Sequence, residues 1–397
     1  MHKHHNALGV AQALRPTQPV TLIRPHAARR AARFFVETFP GTSMYAVKAN
    51  PSPDLIRTLW DSGITHFDVA SIAEVRLVRG LLPHATLCFM HPVKGAEAIA
   101  EAYHEHGVRV FSLDTLSELH KIVDATDGAS DLTLCVRLRV SSSHSKLSLA
   151  SKFGVAADEA GPLLMATRQA ADALGICFHV GSQAMSPQAY ADALGQVRAA
   201  IVGAGVTVDI VDVGGGFPSS YPDMEPGALE GYFEVIHRAY ESLPISYSAE
   251  LWCEPGRALC AEYSSVLVRV EARKDDVLYI NDGAYGALFD AAHIGWRFPV
   301  ALVREDASHA RDIAFSFYGP TCDDMDFMRG PFMLPADVQA GDMIEIGMLG
   351  AYGAAMRTGF NGFTAGDTVV VTDEPMDTLY GVIEESPSRV IQLRQTH

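Results

Sequence analysis

Met44-Tyr45-Ala46-Val47-Lys48-Ala49-Asn50, followed by Pro51, is the stretch from which the rest of the chain can be read. It is apolar at most positions, as a short buried strand should be, and it ends on one cation. Asn50-Pro51 then bars direct continuation into regular structure. A lysine at the mouth of an apolar site loses hydration, so its ammonium becomes easier to deprotonate, which suits an amine nucleophile or Schiff-base former. An isolated lysine at a strand end is far more often simply solvated, so Lys48 has to be judged by its company.

That company repeats. Eight short apolar runs follow one another: Met44–Lys48, Thr65–Val69, Thr86–Met90, Arg109–Leu113, Leu132–Val140, Ile176–Val180, Val208–Val213 and Ser248–Cys253. The first five begin 21 to 23 residues apart, and segments with helical spacing, such as Ser71 to Gly80 and Pro187 to Ala204, lie between runs. One strand and one helix fit each interval, so the pattern predicts an α/β fold built on an eight-stranded parallel (β/α) barrel. In such a barrel the chemistry collects at the strands' C-terminal ends. Those ends carry Lys48, Asp68 with Ser71, His91, Asp114, Arg137, His179 with Ser182, Gly214-Gly215-Gly216, and Glu254 with Arg257. The opposite ends are less polar.

Two stretches depart from the rhythm. Ser141 to Lys152, rich in Ser and Lys, reads as a long exposed loop and a mobile cover. From Val266 onward, alternating strands separated by Gly, Pro and Asp turns replace the barrel pattern: Val266–Val270, Val277–Asn281, Asp312–Tyr318, Met343–Ile346, Thr368–Val371 and Val390–Leu393. The expected division is a barrel over 24–262 and a C-terminal β-rich domain over 263–397, joined by 1–23, where Thr21-Leu22-Ile23 is a candidate strand.

Composition narrows the function. The 397 residues are 48% hydrophobic and 20% charged, ordinary for a globular protein. Lys+Arg 31 against Asp+Glu 47 gives a net charge of −16 with no basic run, which argues against nucleic acid and anionic membrane as partners. No apolar stretch is long enough for a signal peptide or a membrane span. The six cysteines are scattered without a Cys-x-x-Cys pair, and nothing calls for a metal. A reduced, cytoplasmic enzyme is the economical expectation.

At the strand ends, Gly214-Gly215-Gly216 offers bare backbone amides to a phosphate, although a tight βα turn would read the same way. Ser182 and Arg257 could add a hydroxyl and a bidentate cation. Glu254, after an apolar strand, needs a cationic partner: a protonated ring nitrogen or a structural salt bridge. His179 is either a core histidine or a flat surface for a planar cofactor. In the β-rich domain Cys322 is a cysteine outside a strand core and a candidate proton donor, or an incidental loop thiol. Asp290 and Asp323 suit a substrate's distal ammonium, though acidic loop residues are mostly solvated. Tyr352, in Gly350-Ala351-Tyr352-Gly353, could direct its hydroxyl at phosphate.

Together, Tyr-Ala-Val-Lys-Ala-Asn, Phe67-Asp68-Val69-Ala70-Ser71, His179-Val180-Gly181-Ser182, Gly-Gly-Gly-Phe-Pro, Glu-Pro-Gly-Arg, Gly-Pro-Thr-Cys-Asp and Gly-Ala-Tyr resemble, in order, the pyridoxal-phosphate-dependent decarboxylases of the alanine-racemase-like fold, ornithine decarboxylases above all. The resemblance runs from about Tyr45 to Phe363. It implies pyridoxal 5′-phosphate as cofactor, joined to Lys48 as a Schiff base, with His179 on the ring and Glu254 at the ring nitrogen. Ser182, Gly215, Gly216, Arg257 and Tyr352 would hold the phosphate, Asp68 and Glu74 would support the lysine region, and Arg137 would lie below the cofactor. It also implies a head-to-tail homodimer with shared sites, in which Cys322, Asp323 and Phe360 reach the other subunit. Asp290, Asp323 and Asp324 make the distal pocket acidic, which favours ornithine over diaminopimelate. Lysine is one methylene longer, a difference worth about 1–3 kcal/mol, so dual lysine/ornithine use is the alternative. A non-catalytic regulator-binding relative would lack Lys48, the phosphate groups or Cys322.

Overall fold

The structure, a computed structural model, describes residues 3–140, 144–147 and 151–381. Eight parallel strands close a barrel: β1 (Thr42–Ala46), β2 (His66–Val69), β3 (Thr86–Phe89), β4 (Val110–Leu113), β5 (Thr133–Arg137), β6 (Ala173–Cys177), β7 (Ile210–Asp212) and β8 (Glu250–Cys253). Each pairs with its sequence neighbours, and β8 returns to β1 through Trp252↔Thr42 and Cys253↔Ser43. The expected eight runs are these eight strands, with ends moved by up to three residues. Apolar character marks which residues are buried but not where pairing stops, so His179 lies two residues beyond β6 and not on it.

The strands read as unbroken apolar runs because both faces are covered. Outward residues such as Tyr45, Phe67, Phe111 and Leu134 join the core beneath the helices. Met44, Cys88, Cys135, Cys177, Ile210 and Trp252 form a second buried cluster inside the barrel, where thiols serve as small apolar groups. Two of the barrel helices start on short polar side chains that cap them. Ser71 Oγ accepts the Glu74 N–H ahead of Ile72–Leu81, and Thr115 Oγ1 accepts the Glu118 N–H ahead of Leu116–Ala125.

The second layer is a nine-stranded sheet. Val20–Ile23 lies between Thr368–Val371, to which it is parallel, and Ser264–Lys274, to which it is antiparallel. Lys3–His4 adds outside Thr368–Val371, while Val277–Ile280, Asp312–Tyr318 and Phe327–Pro335 extend the other side. Met343–Ile346 pairs with both Ser264–Lys274 and Val300–Val303.

Several expectations are corrected. Phe327–Pro335 is a strand although it contains Gly330-Pro331, which reads as a turn; as the last strand of the path it needs no N–H at Pro331 on its free side. Val300–Val303 and the helices Ala7–Leu14 and Phe289–His293 were also not expected. The Ser141–Lys152 stretch is not all loop, since Ser145–Leu147 pairs antiparallel with Ser182–Ala184. The candidate strand Val390–Leu393 lies outside the described residues. Among the described residues no helix is long and apolar enough to cross a membrane.

Candidate active site

Lys48 is not on a strand. β1 ends at Ala46, and Val47–Ala49 form a single 3₁₀ turn closed by the Asn50 N–H on Val47 O at 3.1 Å. Neighbouring elements pin the turn on three sides. Pro255 O accepts the Ala46 N–H at 3.3 Å, Ala49 O accepts the Tyr352 N–H at 2.8 Å, and Asn50 Nδ2 donates to Gly350 O at 2.8 Å. Gly256 leaves room for this contact, because a Cβ there would stand 3.1 Å from Ala49 Cβ.

The Lys48 Nζ lies 3.8 Å from Asp68 Oδ2, with the side chain 43% exposed to the barrel mouth. Here the electrostatic expectation is reversed. Burial works to lower the Lys48 pKa, as foreseen, but Asp68, Tyr352 and Glu254 outweigh it and the net shift is upward. Without a cofactor the amine is a held ammonium.

The acids opposite it are held partly protonated. Burial, with Glu254 nearby, pushes Asp68 up to about 7. Glu254 is buried, its N–H bonded to Gly214 O at 2.8 Å, and burial with the adjacent Asp212 carboxyl raises it well above the usual range. Asp212 itself is fully buried, accepts the Gly214 N–H at 2.8 Å and is pushed by burial up to about 6. The sequence reading gave Asp212 no role; its position just before the triple glycine was the available signal. Glu74 is raised by burial, and its Oε2 takes the Ala70 N–H at 2.7 Å, which fixes the chain after Asp68.

His179 is placed by the glycine turn. Its Nδ1 accepts the Gly181 N–H at 3.0 Å, so any ring proton sits on Nε2. Burial, with Lys48 and Arg137 close by, lowers its pKa well below the ordinary value, which leaves a neutral flat ring. A Cβ at Gly215 would lie 3.0 Å from His179 Nε2 and 2.8 Å from the Glu254 backbone oxygen, so both residues close on this glycine and leave it no room for a side chain. Gly216 (φ +101) likewise tolerates no side chain, since a Cβ would come within 2.4 Å of Gly181 O. Arg137 belongs to the same charge cluster, and its guanidinium carbon is 5.6 Å from the Phe153 ring centre.

Arg257 opens the short helix Arg257–Cys260. Its guanidinium lies 4.2 Å from the Trp296 ring centre and 5.1 Å from that of Tyr352, with Nη1 donating to the Tyr221 hydroxyl at 3.1 Å. Nη2 is 3.6 Å from Asp290 Oδ2. Asp290 is therefore not a free acid facing the pocket; part of its charge is spent on Arg257. The Nε of Arg257 is buried with no hydrogen-bond partner among the described residues, which an anion's oxygen would satisfy.

Cys322, Asp323 and Phe360 lie elsewhere on the chain's surface. The structure groups them on the sheet domain and shows no hydrogen bond or ion pair from them to the Lys48 cluster among the described residues. Cys322 is exposed, and both its N–H (3.2 Å) and Sγ (3.3 Å) are bonded to Asn361 Oδ1. Tyr285 donates its hydroxyl to Asp323 and packs on the Phe360 ring at 4.7 Å. Asp324 joins Cys322 and Asp323 in lining a cavity of about 790 Å³ with Tyr318 and Phe363. Tyr285 and Asn361 were not singled out from sequence, because each acts through a partner far away along the chain.

Residues 26–261 match the family described as "Pyridoxal-dependent decarboxylase, pyridoxal binding domain", and residues 259–350 match its "C-terminal sheet domain". The chain belongs to the pyridoxal-dependent decarboxylases. Among relatives of this decarboxylase, the lysine/ornithine decarboxylase of Selenomonas ruminantium is 33% identical over 342 residues, 83% of this chain and 84% of that one. The ornithine decarboxylase of Panagrellus redivivus is 33% identical over 375 residues, covering 87% and 82%. The solved arginine decarboxylase of Paramecium bursaria Chlorella virus bound to agmatine has a TM-score of 0.80 at 26% identity, over 91% of this chain and 98% of that one. The protein is a pyridoxal-phosphate-dependent decarboxylase of basic amino acids. The site fits that cofactor: an amine, a buried acid and a neutral imidazole drawn from loops that meet at a glycine cradle, and an orphaned guanidinium nitrogen.

Proposed function

We propose that this decarboxylase acts on L-ornithine, releasing putrescine, with L-lysine as the second substrate the same pocket takes. When bound, pyridoxal 5′-phosphate supplies an electron-withdrawing ring that accepts the electron pair left as the substrate carboxylate departs. The chain's residues do the rest. Lys48 Nζ anchors the cofactor covalently, beside Asp68 and above Arg137. His179 covers one ring face, and Glu254, backed by Asp212, holds the proton at the ring nitrogen. Ser182, Gly215, Gly216, Arg257 and Tyr352 hold the phosphate.

The observation that carries the substrate assignment is the acidic distal set. Asp323 is fixed by Tyr285, its pKa held low by that hydroxyl and the Met325 N–H, and among the described residues it makes no ion pair with an arginine that could greet a second carboxylate. With Asp290 partly offset by Arg257, Asp323 is the principal site for the substrate's distal ammonium.

Among the described residues Asp323, Cys322 and Phe360 make no hydrogen bond or ion pair to the Lys48 cluster of their own chain, and we assign them to the site of a second copy in a homodimer. There the Cys322 thiol would deliver to Cα the proton that takes the place of the departed carboxylate, and Phe360 would line the shared interface. The test is kcat/KM for ornithine, lysine and diaminopimelate measured side by side on the holoenzyme. Ornithine is expected first and lysine within about a hundredfold; efficient turnover of diaminopimelate would refute the acidic-pocket reading.

A further inference from the structure

Gln183 stands out among residues to which the reading above gives no task. It is fully buried and holds a left-handed backbone, φ +56, a conformation that costs a residue with a Cβ roughly 1 kcal/mol and persists where surroundings impose it. Its carboxamide grips one backbone unit with both ends: Nε2 donates to Ser219 O, and Oε1 accepts the Ser219 N–H at 3.1 Å. Ser219 in turn directs its hydroxyl at Arg257 O, 3.4 Å away. One residue on, the Ala184 N–H donates to Gly216 O at 2.9 Å.

These bonds join three separate barrel loops. Ser182 immediately precedes Gln183, Gly215 and Gly216 lead into Ser219, and Arg257 receives the Ser219 hydroxyl on its own carbonyl. The Ser182 loop and the glycine loop are therefore tied by one buried amide, and the Ser219 hydroxyl carries the tie on to the Arg257 loop. A glycine at 183 would adopt the backbone without strain, yet it would take away the partner of both the Ser219 N–H and the Ser219 C=O.

We infer that Gln183 is a positioning residue for the cofactor's phosphate: it sets the spacing of the Ser182 hydroxyl, the glycine amides and Arg257 so that they converge on one dianion. The inference rests on the phosphate-site assignment made above. Its signature is selectivity, because loosening the cradle should weaken binding of the phosphorylated cofactor and spare pyridoxal, which has no phosphate to hold.

The experiment titrates full-length apoprotein with pyridoxal 5′-phosphate and, separately, with pyridoxal, following the absorbance change. Gln183→Gly is expected to weaken the phosphorylated ligand by about tenfold or more and to leave pyridoxal within about twofold of wild type. Equal losses for both ligands, or no loss for either, would overturn the inference. Should Gln183→Gly fail to fold, Ser219→Ala removes only the link to Arg257 O and is expected to give a smaller loss with the same selectivity; an unselective or absent effect there counts against the inference too. Arg257→Gln separates the two readings. If it leaves the ratio of the two affinities unchanged, the phosphate-site assignment itself fails. If it erases the ratio while Gln183→Gly and Ser219→Ala do not alter it, only the role of Gln183 falls.

Discussion

The phenol of Tyr285 donates a hydrogen bond to the carboxylate of Asp323, across two loops of the sheet domain, while its ring rests on Phe360. A carboxylate meant to receive a substrate ammonium must be held still and ionised, and the hydroxyl does both. Tyr285→Phe keeps the ring contact and removes the bond. Its KM for ornithine should rise by about five- to tenfold, the worth of one charge-assisted hydrogen bond, with kcat little changed. A variant with wild-type KM would dissociate Asp323 from substrate binding.

Glu254→Gln tests the acid opposite Lys48. The amide preserves shape but can no longer share a proton with the ring nitrogen. We expect kcat to fall by about a hundredfold or more while the cofactor still binds. Retention of most of the activity would mean that Glu254 serves only packing.

The buried carboxyls give the apoprotein a characteristic pH dependence. Asp68, ordinarily 3.8, is held up to about 7, and Asp212 up to about 6, so between those values and the ordinary range the folded chain binds protons that the unfolded chain has released. Stability supplied this way is present in acid and lost as pH rises through the folded values. Thermal melts of the apoprotein should therefore show a declining contribution between about pH 4 and pH 7, and Asp68→Asn should flatten the decline. Equal slopes for the two proteins would contradict the assignment of Asp68 as a buried, proton-binding acid.

Mixing two inactive proteins tests the shared site. Lys48→Ala lacks the anchor and Cys322→Ala the proton donor, and in a head-to-tail dimer of one of each, one site regains both. After subunit exchange the mixture should recover about a quarter of wild-type activity. No recovery, with exchange verified by a size or charge tag, would place the two groups in one chain's own site, and a Cys322→Ala protein active by itself would place Cys322 outside the reaction.

The barrel and its polar rim could be read from sequence because both are local: burial on two faces makes each strand an apolar run, and each rim residue follows its run directly. That logic places Lys48, Asp68, Arg137, His179, Glu254 and Arg257 in one region without any knowledge of distant contacts. It misjudged the charge on Lys48, because the sign depends on three groups from other loops outweighing burial. The Asp290–Arg257 pair escaped for the same reason. Phe327–Pro335 was hidden by Gly330-Pro331, which ordinarily breaks a strand and is tolerated only at an unpaired border. Gln183 could not be distinguished at all, since a buried glutamine announces nothing until its partner backbone is known.

Val20–Ile23 takes its place between Ser264–Lys274 and Thr368–Val371, so a segment that leaves the ribosome early has to wait for two that leave late. By then all eight barrel strands have emerged and had time to close. Until Thr368 arrives, the edge of Val20–Ile23 has no neighbour of its own to bond, and nascent chains stalled within that interval would present it to one another.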